Sequence, residues 1–346
     1  MHIIFSALLL VLGYAFAYPL LFVAFVPLLI YQNNASGSRL ALRRLVAAFA
    51  TILIFYAMVN GYFAAIIPIS YLIYVLLFSV LLAIAISLPW MIQPILGLQR
   101  AMISLPFFWV LVEWLQLRYS FGSAVLGNAL PSSISGWYAY MSVLGGSLWI
   151  WLVNLVAFAI VRSFLGHKQW KPLVGQSVVA VLMLVFLPAW LLPTPASESA
   201  VKKVRVGTDD LVSDMTLDVG QKKDVSTLLT SIYSPYDFVN SVWKDALVLE
   251  AESYDMPLSM QQRVLRARAL EVRRPVVWVN DGVLCAVDRK GYVHTDANIL
   301  ALETSDEKTY VSRSGSFPVR IGVFVAIFTL LYTVSFSLRG ASLHKK

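Results

Sequence analysis

Long apolar runs separated by short polar loops fill the first 192 positions, and one more apolar run closes the chain. The runs fall at 3–16, 20–31, 45–66, 71–88, 103–117, 139–160, 173–192 and 319–338. A helix crosses a bilayer with about 20 apolar residues, so the pattern predicts a polytopic α-helical membrane protein of about eight spans. The first two runs are short. They fit two short helices, a re-entrant hairpin, or one kinked helix broken at Pro19 and Pro27. Ala15-Phe16-Ala17 has the look of a signal-peptidase site, but no Lys or Arg precedes the first run and a second run follows at once, so both are read as membrane segments.

From 195 to 318 the pattern turns mixed and polar. Apolar stretches at 204–206 and 246–249 predict strands. The segment 257–272 predicts a helix, with Pro257 in its first turn and Met260, Val264, Ala267 and Leu270 at helical spacing. Pro275 stops it. Two further strands, 276–279 and 283–287, flank Asn280-Asp281-Gly282, whose Asp-Gly step is a strong hairpin signal. Arg289-Lys290-Gly291 is a second turn. The domain plan is therefore 1–194 transmembrane, 195–318 an α/β domain outside the membrane, 319–338 a closing span and 339–346 a basic tail.

Composition agrees with that plan. At 59% hydrophobic and 13% charged residues, the 346-residue chain is too apolar for a soluble protein. The net charge of +8 does not point to nucleic acid, because the positives are scattered and sit beside spans. Arg39, Arg43 and Arg44 follow the second run, Arg100 the fourth, Arg162, Lys168 and Lys171 the sixth, and Arg339, Lys345 and Lys346 the last. The alternate loops hold only Arg118. The basic loops are thus expected on the cytoplasmic side and the α/β domain on the other, which in a bacterium is the periplasm of the inner membrane. Cys285 is the single cysteine, so neither an intrachain disulfide nor a cysteine metal site forms. His2, His167, His294 and His344 are far apart in sequence, and no metal or cofactor is called for.

Several motifs occur in a telling order. The membrane part holds Asn60-Gly61-Tyr62-Phe63, then Val112-Glu113-Trp114-Leu115, Phe121-Gly122, Leu126-Gly127-Asn128, Leu144-Gly145-Gly146 and Leu152-Val153-Asn154. The outer part holds Gln262, Arg266, Arg268-Ala269-Leu270-Glu271, Arg274-Pro275 and Asn280-Asp281-Gly282-Val283. Arg313, Gly315, Pro318, Arg320 and Gly322 lead into the last span. In this order and topology the chain resembles the apolipoprotein N-acyltransferases of the bacterial inner membrane, over most of its length outside about 208–240. The resemblance implies spans around a periplasmic nitrilase-like domain. It also implies transfer of an acyl chain from phospholipid to a lipoprotein, through a Cys nucleophile, a Glu base and a Lys that stabilises the oxyanion.

This sequence departs from that pattern where the chemistry belongs. About 40 residues separate Val206 from Ala246, whereas the family places the Glu strand, the Lys loop and the Cys elbow there. The nitrilase-like domain is therefore expected to be reduced. In the segment that resembles the elbow, Leu228 to Tyr233, Thr230 or Ser231 stands where the family has Cys. Cys285 lies in the late hairpin, in an alternating apolar run that suits a buried small residue. Thr230, Ser231 and Cys285 are the side chains from which a replacement nucleophile would be drawn. Glu250 and Glu252 follow the elbow segment and read as solvated loop residues.

Glu113 is the one carboxylate inside a predicted span, beside Trp114 and about one turn from Arg118. An ionisable group there needs a partner or water. With Asn128, these residues are the candidates for lipid or substrate contact. Trp137, Tyr138, Trp149 and Trp151 read as interface anchors and packing. Asn154, Arg266, Arg268, Glu271, Arg274, Pro275 and Gly282 read as a structural motif shared with the family. Arg266 and Arg268 cannot share a helix face at a spacing of two, and some of the arginines between 263 and 274 are expected to pair with Glu271, Glu252 or Asp255. The functional expectation is a non-catalytic membrane protein that binds lipid or lipoprotein or assembles an envelope complex, as in conjugal transfer. The alternative is an active phospholipid-to-lipoprotein N-acyltransferase with a relocated or non-cysteine nucleophile. The expected partners are membrane phospholipid and, in the envelope, lipoproteins or complex components.

Overall fold

The computed structural model describes residues 1–62, 64, 68–119, 124–135, 137–166, 201–208, 215–218, 227–229, 246–250, 258–280, 283–295, 299–305, 309, 311 and 316–343. Among them, five helices are long and apolar enough to cross a membrane. They are α3 (Leu40–Val59), α4 (Pro68–Leu96), α5 (Leu98–Tyr119), α7 (Tyr138–Gly166) and α9 (Phe317–Leu343). The protein is membrane-embedded. The seventh apolar run, 173–192, lies outside the described residues.

The chain separates into two compact units. The first comprises residues 1–116, 147–186 and 318–346. It opens with α1 (His2–Ala15), a 3-10 turn (Tyr18–Phe22) and α2 (Val26–Asn34). The 14 residues of α1 reach only about 21 Å, short of a hydrocarbon core of about 30 Å. α1 and α2 pack side by side, which excludes a single kinked span. The Ser6 hydroxyl on α1 donates to the Ala24 carbonyl at 2.7 Å and accepts the Leu28 N–H at 3.0 Å, so it ties the two arms together across the break.

The break exposes backbone groups that lipid cannot satisfy. Asn154, from α7, answers two of them and also bonds Ile150 on its own helix. Its Oδ1 accepts the Phe25 N–H at 2.9 Å, and its Nδ2 donates to Leu21 O at 2.7 Å and Ile150 O at 2.9 Å. Below the hairpin, Phe25 stacks on Trp151 with ring centroids 3.9 Å apart and meets Trp109 edge-on. At the other end of α2, Gln32 accepts from the Trp90 indole and donates to Arg44 O. The Arg44 guanidinium donates to Gln32 O and lies 4.7 Å over the Trp90 ring, so a basic side chain at a span end is used as a clamp. α4 and α5 are separated by Gly97 alone, whose φ of +76° lets the chain leave one helix and enter the next. α9 packs Ala326 against Ala85 and Phe108. It leaves Phe324, Phe328, Tyr332 and Phe336 exposed as a stacked ladder at every fourth residue, as a lipid-facing helix would.

The second unit comprises 117–146 and 187–317. The α/β domain thus takes in the loop between α5 and α7, which the sequence reading had assigned to the membrane part. That loop forms a 3-10 turn (Leu126–Ala129) and a short helix α6 (Ser132–Ser135). One sheet has the order β2-β1-β8, from β1 (Val201–Thr208), β2 (Met215–Asp218) and β8 (Ile299–Ser305), all antiparallel. The other has the order β3-β4-β5-β6-β7, from β3 (Thr227–Leu229), β4 (Ala246–Glu250), β5 (Val276–Asn280), β6 (Val283–Val287) and β7 (Val293–Thr295). β3, β4 and β5 are parallel, and α8 (Leu258–Val272) makes the β4-to-β5 crossover. β5, β6 and β7 form an antiparallel meander. The Asn280–Val283 pair closes the predicted two-residue hairpin. Its turn residues, Asp281 and Gly282, lie outside the described residues.

Candidate functional site

In the second unit, polar chemistry gathers where α8 packs on the 3-10 turn, on α6 and on the head of α7. The helix α7 is broken at Ser142, which has φ +59° and ψ 177°. A side chain rarely adopts this conformation, and holding one there costs of order 1–3 kcal/mol. Two hydrogen bonds hold it. The Ser142 hydroxyl accepts the Leu144 N–H at 3.2 Å, as a helix cap does, and bonds the Ser316 hydroxyl at 2.7 Å. Glu271, from the last turn of α8, supplies the rest. Its Oε1 accepts the Val143 N–H at 2.7 Å, and its Oε2 pairs with the Arg268 guanidinium at 2.8 Å. The carboxylate therefore sits at the positive end of the long part of α7. The Arg268 and Glu271 side chains are 5% and 3% exposed, so this is a buried pair. Thr309 adds a bond from its hydroxyl to Glu271 O at 2.8 Å.

The glycines of the loop motif have a steric reason. A Cβ on Gly127 would run into the Val143 carbonyl, and one on Gly146 would meet the Tyr138 hydroxyl and Gly127 itself. Tyr138 in turn donates to Gly127 O at 2.6 Å. Asn128 is buried beside this contact. Trp137 donates to Ile134 O at 2.7 Å, a packing role. Arg274 and Pro275 are buried at the exit of α8, and Arg273 before them takes the left-handed φ of +51° that ends the helix. Arg266 faces elsewhere. It is half-buried, and burial first, then the neighbouring Arg263 charge, pull its guanidinium below the ordinary arginine value.

In the first unit, Glu113 is completely buried on α5. One turn on, Gln116 accepts from the Tyr56 hydroxyl at 2.8 Å and donates to Tyr74, joining α3, α4 and α5 by a polar layer. Trp114 is half-buried, and the Arg118 side chain is outside the described residues. The sequence singled out Glu113 but not the Tyr56–Gln116–Tyr74 chain, because tyrosine and glutamine in an apolar run carry no signal by themselves.

The nucleophile candidates separate. Thr230 and Ser231 follow β3 directly and lie outside the described residues. Cys285 is the middle residue of β6, aligned with Trp278 on β5 and Thr295 on β7. His294, which lies 3.4 Å from Asp288, is aligned with Ala286 and so belongs to the opposite face of the sheet from Cys285. Among the described residues, no group of His, Cys, Asp and Glu could hold a metal ion.

No protein-family model matches the chain. No curated protein matches it in sequence either.

Proposed function

We propose that this chain is a bacterial inner-membrane protein of N-acyltransferase architecture whose periplasmic α/β domain is a reduced nitrilase-like scaffold without acyl-transfer chemistry. It binds lipid or lipoprotein, or holds an envelope complex together, as in conjugal transfer. One observation carries the reading. The charged pair of the family-like helix, Arg268 and Glu271, is spent on structure: the carboxylate caps the head of α7 and neutralises a buried arginine. That pair belongs to the scaffold the family shares, while the interval from Val206 to Ala246, where the family places its Glu, Lys and Cys, spans only about 40 residues. The position of Cys285 inside a strand ladder, out of phase with His294, supports the same conclusion. The basic loops support the periplasmic assignment of the domain.

The test is complementation of a strain depleted of its own apolipoprotein N-acyltransferase, with lipoprotein N-termini read by mass spectrometry. The scaffold reading expects no rescue and diacylated lipoproteins with free amino termini. Growth with N-acylated lipoproteins would overturn it in favour of an active enzyme.

A further inference from the structure

The membrane unit carries a single acidic residue. Its residues, 1–116, 147–186 and 318–346, include Glu113 and no other Asp or Glu, and the remaining acids of the chain all fall within 187–317. Cations of the same unit gather at one end. Arg39, Arg43 and Arg44 open α3, and Arg44 lies over the Trp90 ring near the end of α4. Phe158 of α7 meets that ring edge-on, which brings Arg162, one turn further, to the same end. Arg100 follows Gly97, where α4 gives way to α5. Glu113 belongs to the other end, one turn before Gln116, which bonds Tyr56 near the close of α3. From Arg39 to the level of Glu113 is roughly 20 Å along the helices.

Arg44 is turned inward, onto Trp90 and Gln32 O. Arg39 and Arg43 are turned outward, and both are exposed. Arg43 gives one N–H to Ser36 O at 3.0 Å, which fixes it over the loop and leaves the other donors of its fork. The ion pairs among the described residues, Arg268–Glu271 and Asp288–His294, involve neither arginine. Leu42 and Val46 lie on the same side of α3 as Arg39 and Arg43, at helical spacings of three and four, and are 52% and 54% exposed. The stripe continues through the half-buried Ala50 and Leu53 to the exposed Ala57. Two cations therefore stand at the head of an outward apolar stripe, on a helix long enough to cross the bilayer.

We infer that Arg39 and Arg43 hold the headgroup phosphate of an anionic diacyl phospholipid whose acyl chains lie along Leu42 and Val46. Guanidinium forks match phosphate oxygens, and each bond is charge-assisted. The unit offers no acid at this end, so the neutralising charge comes from outside it, and basic side chains at the end of a span attract anionic lipid. An acidic protein segment would answer the charge but not the apolar stripe; a phospholipid answers both. The inference concerns the membrane unit alone, so it goes beyond the scaffold reading and stands whether or not the chain transfers acyl groups.

The full chain, purified and delipidated in neutral detergent, is titrated with phosphatidylglycerol, phosphatidylcholine or glycerol phosphate, and native mass spectrometry counts what is bound. Wild type should bind phosphatidylglycerol roughly 30-fold more tightly than Arg39→Gln/Arg43→Gln, at about fivefold per arginine beside an anionic lipid. That variant should bind phosphatidylcholine as wild type does. Arg100→Gln/Arg162→Gln removes the same charge from the same end and should weaken phosphatidylglycerol by less than about fivefold. Equal losses in the two double variants would mean a diffuse basic rim and overturn the site. Unchanged phosphatidylglycerol affinity in Arg39→Gln/Arg43→Gln would overturn it too, as would an equal loss of phosphatidylcholine. Glycerol phosphate binding as tightly as phosphatidylglycerol would overturn the assignment to a lipid. The readout is bound lipid rather than acyl transfer, so an active enzyme would sink the scaffold reading and leave this site standing.

Discussion

Replacing Glu271 by alanine should be among the most damaging single changes in the α/β unit. The carboxylate makes two short contacts, 2.7 Å to the Val143 N–H and 2.8 Å to Arg268. Its loss takes from the buried Arg268 guanidinium the carboxylate it bonds, and breaking a buried ion pair in this way costs about 3–5 kcal/mol. Glu271→Gln keeps an acceptor for Val143 but gives up the charge, for about 1.5–3 kcal/mol. Replacing both Arg268 and Glu271 with apolar residues of similar volume should cost less than Glu271→Ala alone, because no charge is stranded. Proteolysis of the purified full chain under native conditions, read at cleavage sites within residues 258–305, reports the open fraction of the unit when opening is fast. A loss of 3 kcal/mol raises that fraction on the order of 100-fold. The exposed Lys290→Ala is the control and should stay within about 0.5 kcal/mol of wild type. If Glu271→Ala is cleaved no faster than that control, the buried-pair argument is wrong.

Three further outcomes follow from the same structure. Asn154→Leu should strand Leu21 O and the Phe25 N–H inside the bundle at about 1–3 kcal/mol each, and hydrogen exchange at Phe25 should rise sharply while the strands of the α/β unit stay protected. Ser142→Ala should destabilise the head of α7 by about 1–2 kcal/mol, whereas Ser142→Gly should come close to wild type in thermal melting, since glycine relieves the positive φ that serine endures. Gly127→Ala should cost about 1–3 kcal/mol, because the obstructing atom is the Val143 carbonyl rather than a flexible side chain, and the companion Gly127→Ser should melt no higher than it.

The spans and the late hairpin were legible because they depend on local pattern. Apolar runs gave the existence and order of α3, α4, α5, α7 and α9, with ends displaced by up to about eight residues, and Asn280-Asp281-Gly282 gave the β5–β6 pairing. The helix boundary at Pro275 also followed from spacing, while Arg268–Glu271 is one of several pairings left open among the arginines between 263 and 274 and Glu271, Glu252 or Asp255. The hairpin of α1 and α2 was left among three alternatives, since Ser6 and Asn154 decide it from 18 and 129 residues away. β2, β3, β7 and β8 were not foreseen: three have only three or four residues, and β8 pairs with a strand almost a hundred positions earlier. The joining of the 117–146 loop to the α/β unit was hidden for the same reason, because Glu271 reaches Val143 across 128 residues. Asn154, Glu271 and Gly127 were picked out by resemblance alone, and their hydrogen bonds and steric contacts now give the physical reason for each.

The central claim, a membrane scaffold without acyl transfer, is tested most directly by one reconstitution. The purified full chain in phospholipid vesicles is incubated with a diacylglyceryl-cysteine peptide, and both peptide and protein are weighed by mass spectrometry. The account predicts an unmodified peptide and an unmodified protein. An N-acylated peptide, or an acyl adduct on Cys285, Thr230 or Ser231, would contradict it.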